Sequence, residues 1–419
     1  MKTQIGTEAS QPRAGLVTPA FLSLVISSLA YFTAAGMTIP ALPRFVEGTL
    51  GGGNIAVGVV FGAFSVSAVL LRPAAGVFGD RRGRRPLLIA GALLAGVSIL
   101  AYGLAPSPAV LAALRLASGA GEALFFVGMV TVFIDLAPAE RRGEAMSLAS
   151  LGLYLGIGIG PVIAEVIEHA LGLTAVWVLA ASMCFAATGL ALRVPETRPE
   201  AADVTERAAD GPQRRWLHPA GLLPGVVLFT SIVGMAGFLA FVPLHVLDIG
   251  MTSSGLVLLL FAGVVVLVRS LGARLPDLLG PARAIRAALT LSTIGLGLAA
   301  IWHTAVGLVL GAVLLGFGVA LLTPSVFALA AVAAPPGERG QVMATTSAFL
   351  DLAFGLGPMS MGVVAAGLGR PAVFATGALA ALAGLVLVGV TRLGRPQPVP
   401  SGVLRVLPRD TSWRAGRRS

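Results

Sequence analysis

Long apolar runs alternate with short polar segments along almost the whole chain. A helix that crosses a bilayer needs about 20 mainly apolar residues. Twelve runs answer to that: 16–38, 55–75, 86–103, 108–133, 143–167, 174–192, 220–245, 254–268, 285–301, 305–332, 341–366 and 371–390. The pattern predicts an all-α integral membrane protein with twelve transmembrane helices. The first run is too long for a signal-peptide core and no small-residue cleavage site follows it, so it is read as a retained helix 1. The longest internal polar stretch, 194–219, carries Glu196, Glu200, Asp203, Glu206 and Asp210 among its arginines. It is expected to link two six-helix bundles, 16–193 and 220–391, with tails at 1–15 and 392–419.

Basic residues occupy every second connection. One side would hold Lys2 and Arg13, the 2–3 loop (Arg81, Arg82, Arg84, Arg85), the 4–5 loop (Arg141, Arg142), the linker (Arg193, Arg198, Arg207, Arg214, Arg215), Arg274, Arg283, Arg286 and Arg339, and the tail. The other side would hold only Arg44 and Arg370. The positive-inside rule then places both termini in the cytoplasm of a multi-pass protein of the inner (plasma) membrane.

Composition narrows the class further. Of 419 residues, 56% are hydrophobic and 11% charged, with a mean hydropathy of +0.91. Soluble chains carry roughly 25% charged residues, so a soluble globular fold and a disordered chain are both excluded. The net charge of +10 would suit a polyanion, but arginines clustered between apolar runs are explained by topology, and no nucleic-acid partner is expected. The single cysteine, Cys184, lies in an apolar run and reads as packing; it excludes a disulfide framework. No Gly-x-x-x-x-Gly-Lys-Ser/Thr loop is present, which disfavours an ATP-driven pump. No enzyme chemistry, metal site or cofactor is expected.

The halves agree at a fixed offset of 197 positions. Arg72 meets Arg269, Asp80 meets Asp277, and Gly83 meets Gly280. Gly119 and Gly121 meet Gly316 and Gly318; Pro138, Arg142, Gly143 and Met146 meet Pro335, Arg339, Gly340 and Met343. Gly158, Gly160 and Pro161 meet Gly355, Gly357 and Pro358. Six spans per repeat means both copies enter the membrane in the same orientation, and a parallel repeat places the substrate near the midplane between them.

The 2–3 loop reads Gly76-Val-Phe-Gly-Asp80-Arg81-Arg82-Gly83-Arg84-Arg85. Gly76 permits close helix approach. Asp80 is an anion that can face the positive amino end of a neighbouring helix, and Arg84 can pair with Asp135 at the end of helix 4. The segment resembles the signature loop of the major facilitator superfamily, and the resemblance covers essentially the whole chain. It implies a major facilitator fold that works by alternating access, and a cytoplasmic latch made of Gly76, Asp80, Arg81, Gly83, Arg84 and Asp135. A positive-inside signal alone would explain the arginines but not Asp80 or the glycines.

Helix 4 carries Arg115-Leu-Ala-Ser-Gly119-Ala-Gly121-Glu122. Arg115, Gly119 and Glu122 form one helical stripe, and Ala312 and Val319 stand at the repeat positions of the two charges. The segment resembles the second signature of the family's proton-coupled exporters, where the arginine is linked to proton movement; a structural buried ion pair is the alternative reading. Helix 5 carries Gly152, Gly156, Gly158, Gly160 and Pro161, similar to the antiporter signature except that Ala164-Glu165 replaces its final glycine pair. Gly156, Gly160, Pro161, Gly357 and Pro358 read equally well as hinge and packing positions.

Asp351 lies within helix 11 and is expected to face a wet cavity, since a lone carboxylate in lipid is costly. Glu122, Arg115 and Asp351 are the expected proton-coupling residues. Tyr31, Phe126, Tyr154, Phe238 and Phe241 are the candidate substrate surface, although phenylalanines in such helices also serve packing. Glu165 and Glu168 read as interfacial, and His169, His218, His245 and His303 as solvated groups at the membrane edges. The spans contain almost no Asn or Gln of the kind sugar carriers use. The chain therefore reads as a proton-coupled exporter of small hydrophobic or amphipathic compounds, of the twelve-helix drug:proton antiporter group. Its expected partners are a small-molecule substrate, protons and the bilayer, and it is expected to be a monomer. Uptake of a metabolite, and a non-transporting membrane sensor, are the alternatives.

Overall fold

In a computed structural model the chain is described over residues 18–138, 141–197, 217–272, 278–334 and 338–391. The tails, most of the 194–219 linker, Arg274, and Asp277 and Pro335 of the repeat lie outside the described residues. Twelve long helices and no strand are present among the described residues. They are α1 (Pro19–Arg44), α2 (Asn54–Arg82), α3 (Arg85–Tyr102), α4 (Pro108–Leu136), α5 (Arg142–Leu171) and α6 (Leu173–Ala191), then α7 (Pro219–Asp248), α8 (Gly255–Leu271), α9 (Pro281–Ile301), α10 (Ala305–Ala333), α11 (Arg339–Leu368) and α12 (Arg370–Val390). Eleven are long and apolar enough to cross a bilayer; α8 is shorter, at 17 residues.

Local chemistry sets their limits. Thr18, Ser107 and Thr304 cap α1, α4 and α10 by accepting a backbone N–H with their hydroxyls. The turns after α2 and α5 are made by Gly83 and Gly172, with φ of 97° and 80°. Their repeat mates Gly280 and Gly369 have φ of 76° and 86°. Both halves therefore turn at equivalent left-handed glycines, where a side chain would be strained. Two helices outrun the apolar pattern. α1 continues through Pro40 and Pro43 into a wider-wound turn ending at Thr49, and α2 continues past its apolar run to Arg82.

Packing follows the repeat. In the first half α1 lies on α5 and α6, α4 on α2 and α3, and α3 on α6; in the second, α7 lies on α11 and α12, α10 on α8 and α9, and α9 on α12. The α1–α5 crossing is made by Gly36, Gly156 and Gly160: a Cβ at Gly156 would lie 2.7 Å from the Phe32 carbonyl carbon, and one at Gly160 2.7 Å from the Met37 nitrogen. Gly357 lies against Val233 and Ala236 in the same way.

The halves meet chiefly along α2–α11 and α5–α8. Toward the end that carries the 1–2 loop they touch closely. Gly58 and Gly62 lie against the carbonyls of Pro358 and Gly355, and Asn54 Nδ2 donates to the Ala365 carbonyl at 3.2 Å. At the other end they stand apart. Val77 and Phe78 on α2 and Ala344 and Ala348 on α11 are exposed. Gly76, expected to allow close helix approach, has nothing within 4 Å of its Cβ direction, because α2 there borders the open end; Gly79 is the glycine that faces a neighbour, Leu87 of α3.

Candidate functional site

Between the halves lies a cavity of about 970 Å³, walled mostly by apolar side chains. Its charged centre is Arg72 of α2. Arg72 Nη1 donates to Asp351 Oδ1 at 2.5 Å, and Nη2 donates to Glu122 Oε1 at 3.2 Å. The guanidinium lies 4.9 Å from the Phe126 ring centre. One cation thus joins α4 in the first half to α11 in the second. Glu122 is 7% exposed, so Arg72 stabilises a charge that would be costly alone in an apolar wall. In the sequence Arg72 stood out only as the repeat mate of Arg269. Its role as the partner of both carboxylates depends on three helices converging.

Arg115 lines the same cavity but stands apart from the carboxylates. It is 6% exposed, its Nε donates to the Val60 carbonyl at 3.3 Å, and its guanidinium lies 4.5 Å from the Phe64 ring centre. The stripe Arg115–Gly119–Glu122 has a local cause. At Gly119 any Cβ would collide with the Phe64 carbonyl of α2, so the glycine lets α2 approach and sets Val60 and Phe64 against Arg115. An Arg115–Glu122 ion pair is not formed; Arg72 takes Glu122 instead.

Tyr31, Phe126 and Tyr154 line the cavity. Tyr31 stacks on Phe125 with ring centres 4.1 Å apart, and Tyr154 lies under the Arg269 guanidinium at 4.5 Å. Phe238 and Phe241 are placed elsewhere. The cavity stripe of α7 is Ile232, Met235, Ala236 and Leu239, spaced as one helical face. Both phenylalanines fall beside that stripe and are fully buried, Phe238 against Phe261 and Phe374.

At the open end, Arg84 hydrogen-bonds to Asp135 and lies 3.8 Å from Asp80. Glu196, after α6, accepts the Arg84 backbone N–H at 2.6 Å, and its carboxylate lies 2.5 Å from where a Cβ on Gly83 would be. Arg85 donates to the Leu192 carbonyl at 2.6 Å. Arg81 forms no ion pair among the described residues. Asp80 and Asp135 belong to the first half, and Glu196 opens the linker that follows it. Glu196 had drawn notice only as part of a charged linker.

At the closed end, Glu165 is 3% exposed and is not an interfacial carboxylate. It accepts the backbone N–H groups of Ser254 at 2.8 Å and Gly255 at 2.7 Å, and the hydroxyls of Ser253 and Ser254. It thereby caps α8 of the other half, where a helix N-terminus favours an anion. Arg44 donates to it at 2.6 Å and to Glu168 at 2.9 Å. The departure from the glycine pair at Ala164-Glu165 supplies this cap. Arg370 pairs with Asp248 of its own half at 2.7 Å and with Glu47 of the other half. Two of the four histidines are buried rather than solvated: His218 pairs with Glu338 at 2.6 Å, and His245 packs on Phe374. Among the described residues, no group of His, Cys, Asp and Glu could hold a metal ion.

The sequence profile described as Major Facilitator Superfamily matches residues 24–301 and 225–417. An MFS-type transporter of Salmonella typhimurium, strain LT2, is 29% identical over 376 residues, covering 86% of this chain and 93% of that one. An MFS-type transporter of Burkholderia mallei is 28% identical over 406 residues, covering 92% and 96%. Among solved structures, the human organic anion transporter MFSD10 superposes with a TM-score of 0.65 at 21% identity, over 90% of this chain and 100% of that one. A peptide transporter of the POT family superposes with a TM-score of 0.74 at 15% identity, over 92% and 98%.

Proposed function

Because this chain belongs to the major facilitator superfamily, and is thus a multi-pass membrane transporter, we propose that it is a proton-coupled exporter of small hydrophobic or amphipathic compounds. It works as a monomer by alternating access of two bundles, 16–193 and 220–391, joined by the linker 194–219. It lies in the inner membrane with both termini in the cytoplasm. The reading is supported by the basic 2–3 and 4–5 loops, and by the pairing of Arg44 and Arg370 with two carboxylates each at the opposite end. On this assignment the cavity is open to the cytoplasm and closed outside.

The observation that carries the proposal is Arg72 held between Glu122 and Asp351. A proton on either carboxyl removes its charge and weakens its hold on Arg72. Protonation at Asp351 loosens a link between the halves, while protonation at Glu122 leaves Arg72 to Asp351 alone. Proton occupancy and the relative position of the halves are coupled in this way, which is what secondary transport requires. Asp80 is 49% exposed at the open end. When the halves close there, it meets the amino end of α11, and the Arg84–Asp135–Glu196 cluster holds the loop that presents it.

The test is reconstitution in proteoliposomes with an imposed pH gradient and a panel of lipophilic dyes. Uphill dye movement that collapses with a protonophore is the expected result. Movement indifferent to the gradient would remove proton coupling.

A further inference from the structure

The cavity holds two arginines and two carboxylates, so its charges sum to zero, but they are not shared evenly. Arg72 takes both acids. Arg115 has none: among the described residues no carboxylate lies within ion-pair distance, and its guanidinium makes one hydrogen bond, from Nε to the Val60 carbonyl. A buried guanidinium without a counter-ion is costly. The Phe64 ring at 4.5 Å offsets only part of that cost. Since Nε is taken, the edge left free is formed by the two terminal nitrogens, which can bind both oxygens of a carboxylate. Beside it stand the rings of Phe61 and Phe64, and Phe126 and Tyr31 line the same cavity further along.

We infer that Arg115 is the anchor for the substrate's anionic group, and that the substrate is an amphipathic monoanion of carboxylate type with an aromatic or aliphatic body. This deepens the exporter reading and rests on it. Glu122 does not fill the role, because Arg72 engages it. A cationic substrate would have to displace Arg72 from two acids while leaving Arg115 uncompensated, so the same geometry disfavours it.

The test uses the full chain in lipid nanodiscs and three matched fluorescent probes, with empty discs subtracted: dansylglycine (anionic), dansylamide (neutral) and dansylcadaverine (cationic). The expected order of affinity is dansylglycine, then dansylamide, then dansylcadaverine. Arg115→Gln should weaken dansylglycine by roughly ten-fold or more and leave dansylamide within about two-fold. Arg115→Lys, which keeps the charge but loses the fork, should fall between. Tightest binding of dansylcadaverine by the unaltered protein would overturn the inference, and so would an equal loss of all three probes in Arg115→Gln. Binding in discs needs no gradient, so such a failure removes the anion class alone. Failure of gradient-driven dye movement in vesicles would remove the exporter reading.

Discussion

Arg72 donates to Asp351 at 2.5 Å across the boundary between the halves, and the repeat-related pair, Arg269 and Tyr154, makes the corresponding contact with a ring in place of the carboxylate, at 4.5 Å. Both contacts join a helix-2 equivalent to a helix-5 equivalent. The fold therefore carries the same junction twice, once as an ion pair and once as a cation over an aromatic face. Of the two, only the ion pair would lose its attraction if its acceptor gained a proton.

Removing Arg72 should harm the protein more than removing all three charges. Arg72→Gln leaves Glu122 and Asp351 facing each other in an apolar wall, with an expected loss of about 3–5 kcal/mol. Adding Glu122→Gln and Asp351→Asn should restore most of the thermal stability measured in detergent or nanodiscs. If the triple variant melts as low as the single one, the cluster is not an electrostatic unit.

Glu122→Gln and Asp351→Asn should separate proton coupling from binding. Neither amide can take up a proton, so uphill transport in proteoliposomes should fall by about ten-fold or more, while gradient-free exchange persists. The two are to be compared side by side. A variant that keeps full uphill transport with an unchanged pH profile carries no coupling proton.

Glu165→Ala should open the closed end. It removes a carboxylate that accepts from Ser253, Ser254 and Gly255 of the other half. A cysteine at Ala262, which lines the cavity beside α5, should react several-fold faster with impermeant maleimide added outside intact cells. Unchanged labelling would mean that Glu165 is not part of the closure.

The orientation has its own check. Tags placed within 201–212 and after Ser419 should be reached only from the cytoplasm, and a cysteine at Gly52 only from outside. Outside access to the 201–212 tag would overturn the twelve-span arrangement.

The architecture was legible in the sequence because hydropathy and repetition are local or strictly periodic signals. Twelve runs and the 197-residue offset needed no knowledge of packing. Arg84 and Asp135 could be paired from the ends of adjoining helices, and the hydrogen bond between them is present. The centre of the cavity was not legible in the same way. Arg72 and Asp351 are 279 positions apart, and nothing local says that α2 and α11 touch. Glu165 looked interfacial because a carboxylate near the end of a span usually is; its use as a cap depends on α8 starting beside it. Phe238 and Phe241 looked like cavity walls until the direction of the α7 stripe was fixed by its neighbours.

The two seams at the closed end are built of unlike materials. Along α2–α11, Gly58 and Gly62 lie against the carbonyls of Pro358 and Gly355, and one side-chain hydrogen bond, from Asn54 to the Ala365 carbonyl, crosses beside them. Along α5–α8, one carboxylate is threaded among serine hydroxyls and the first N–H groups of a helix. For the closed end to part on the α5–α8 side, the four hydrogen bonds that Glu165 accepts from the other half must break, against one beside Gly58, so the two seams need not part together.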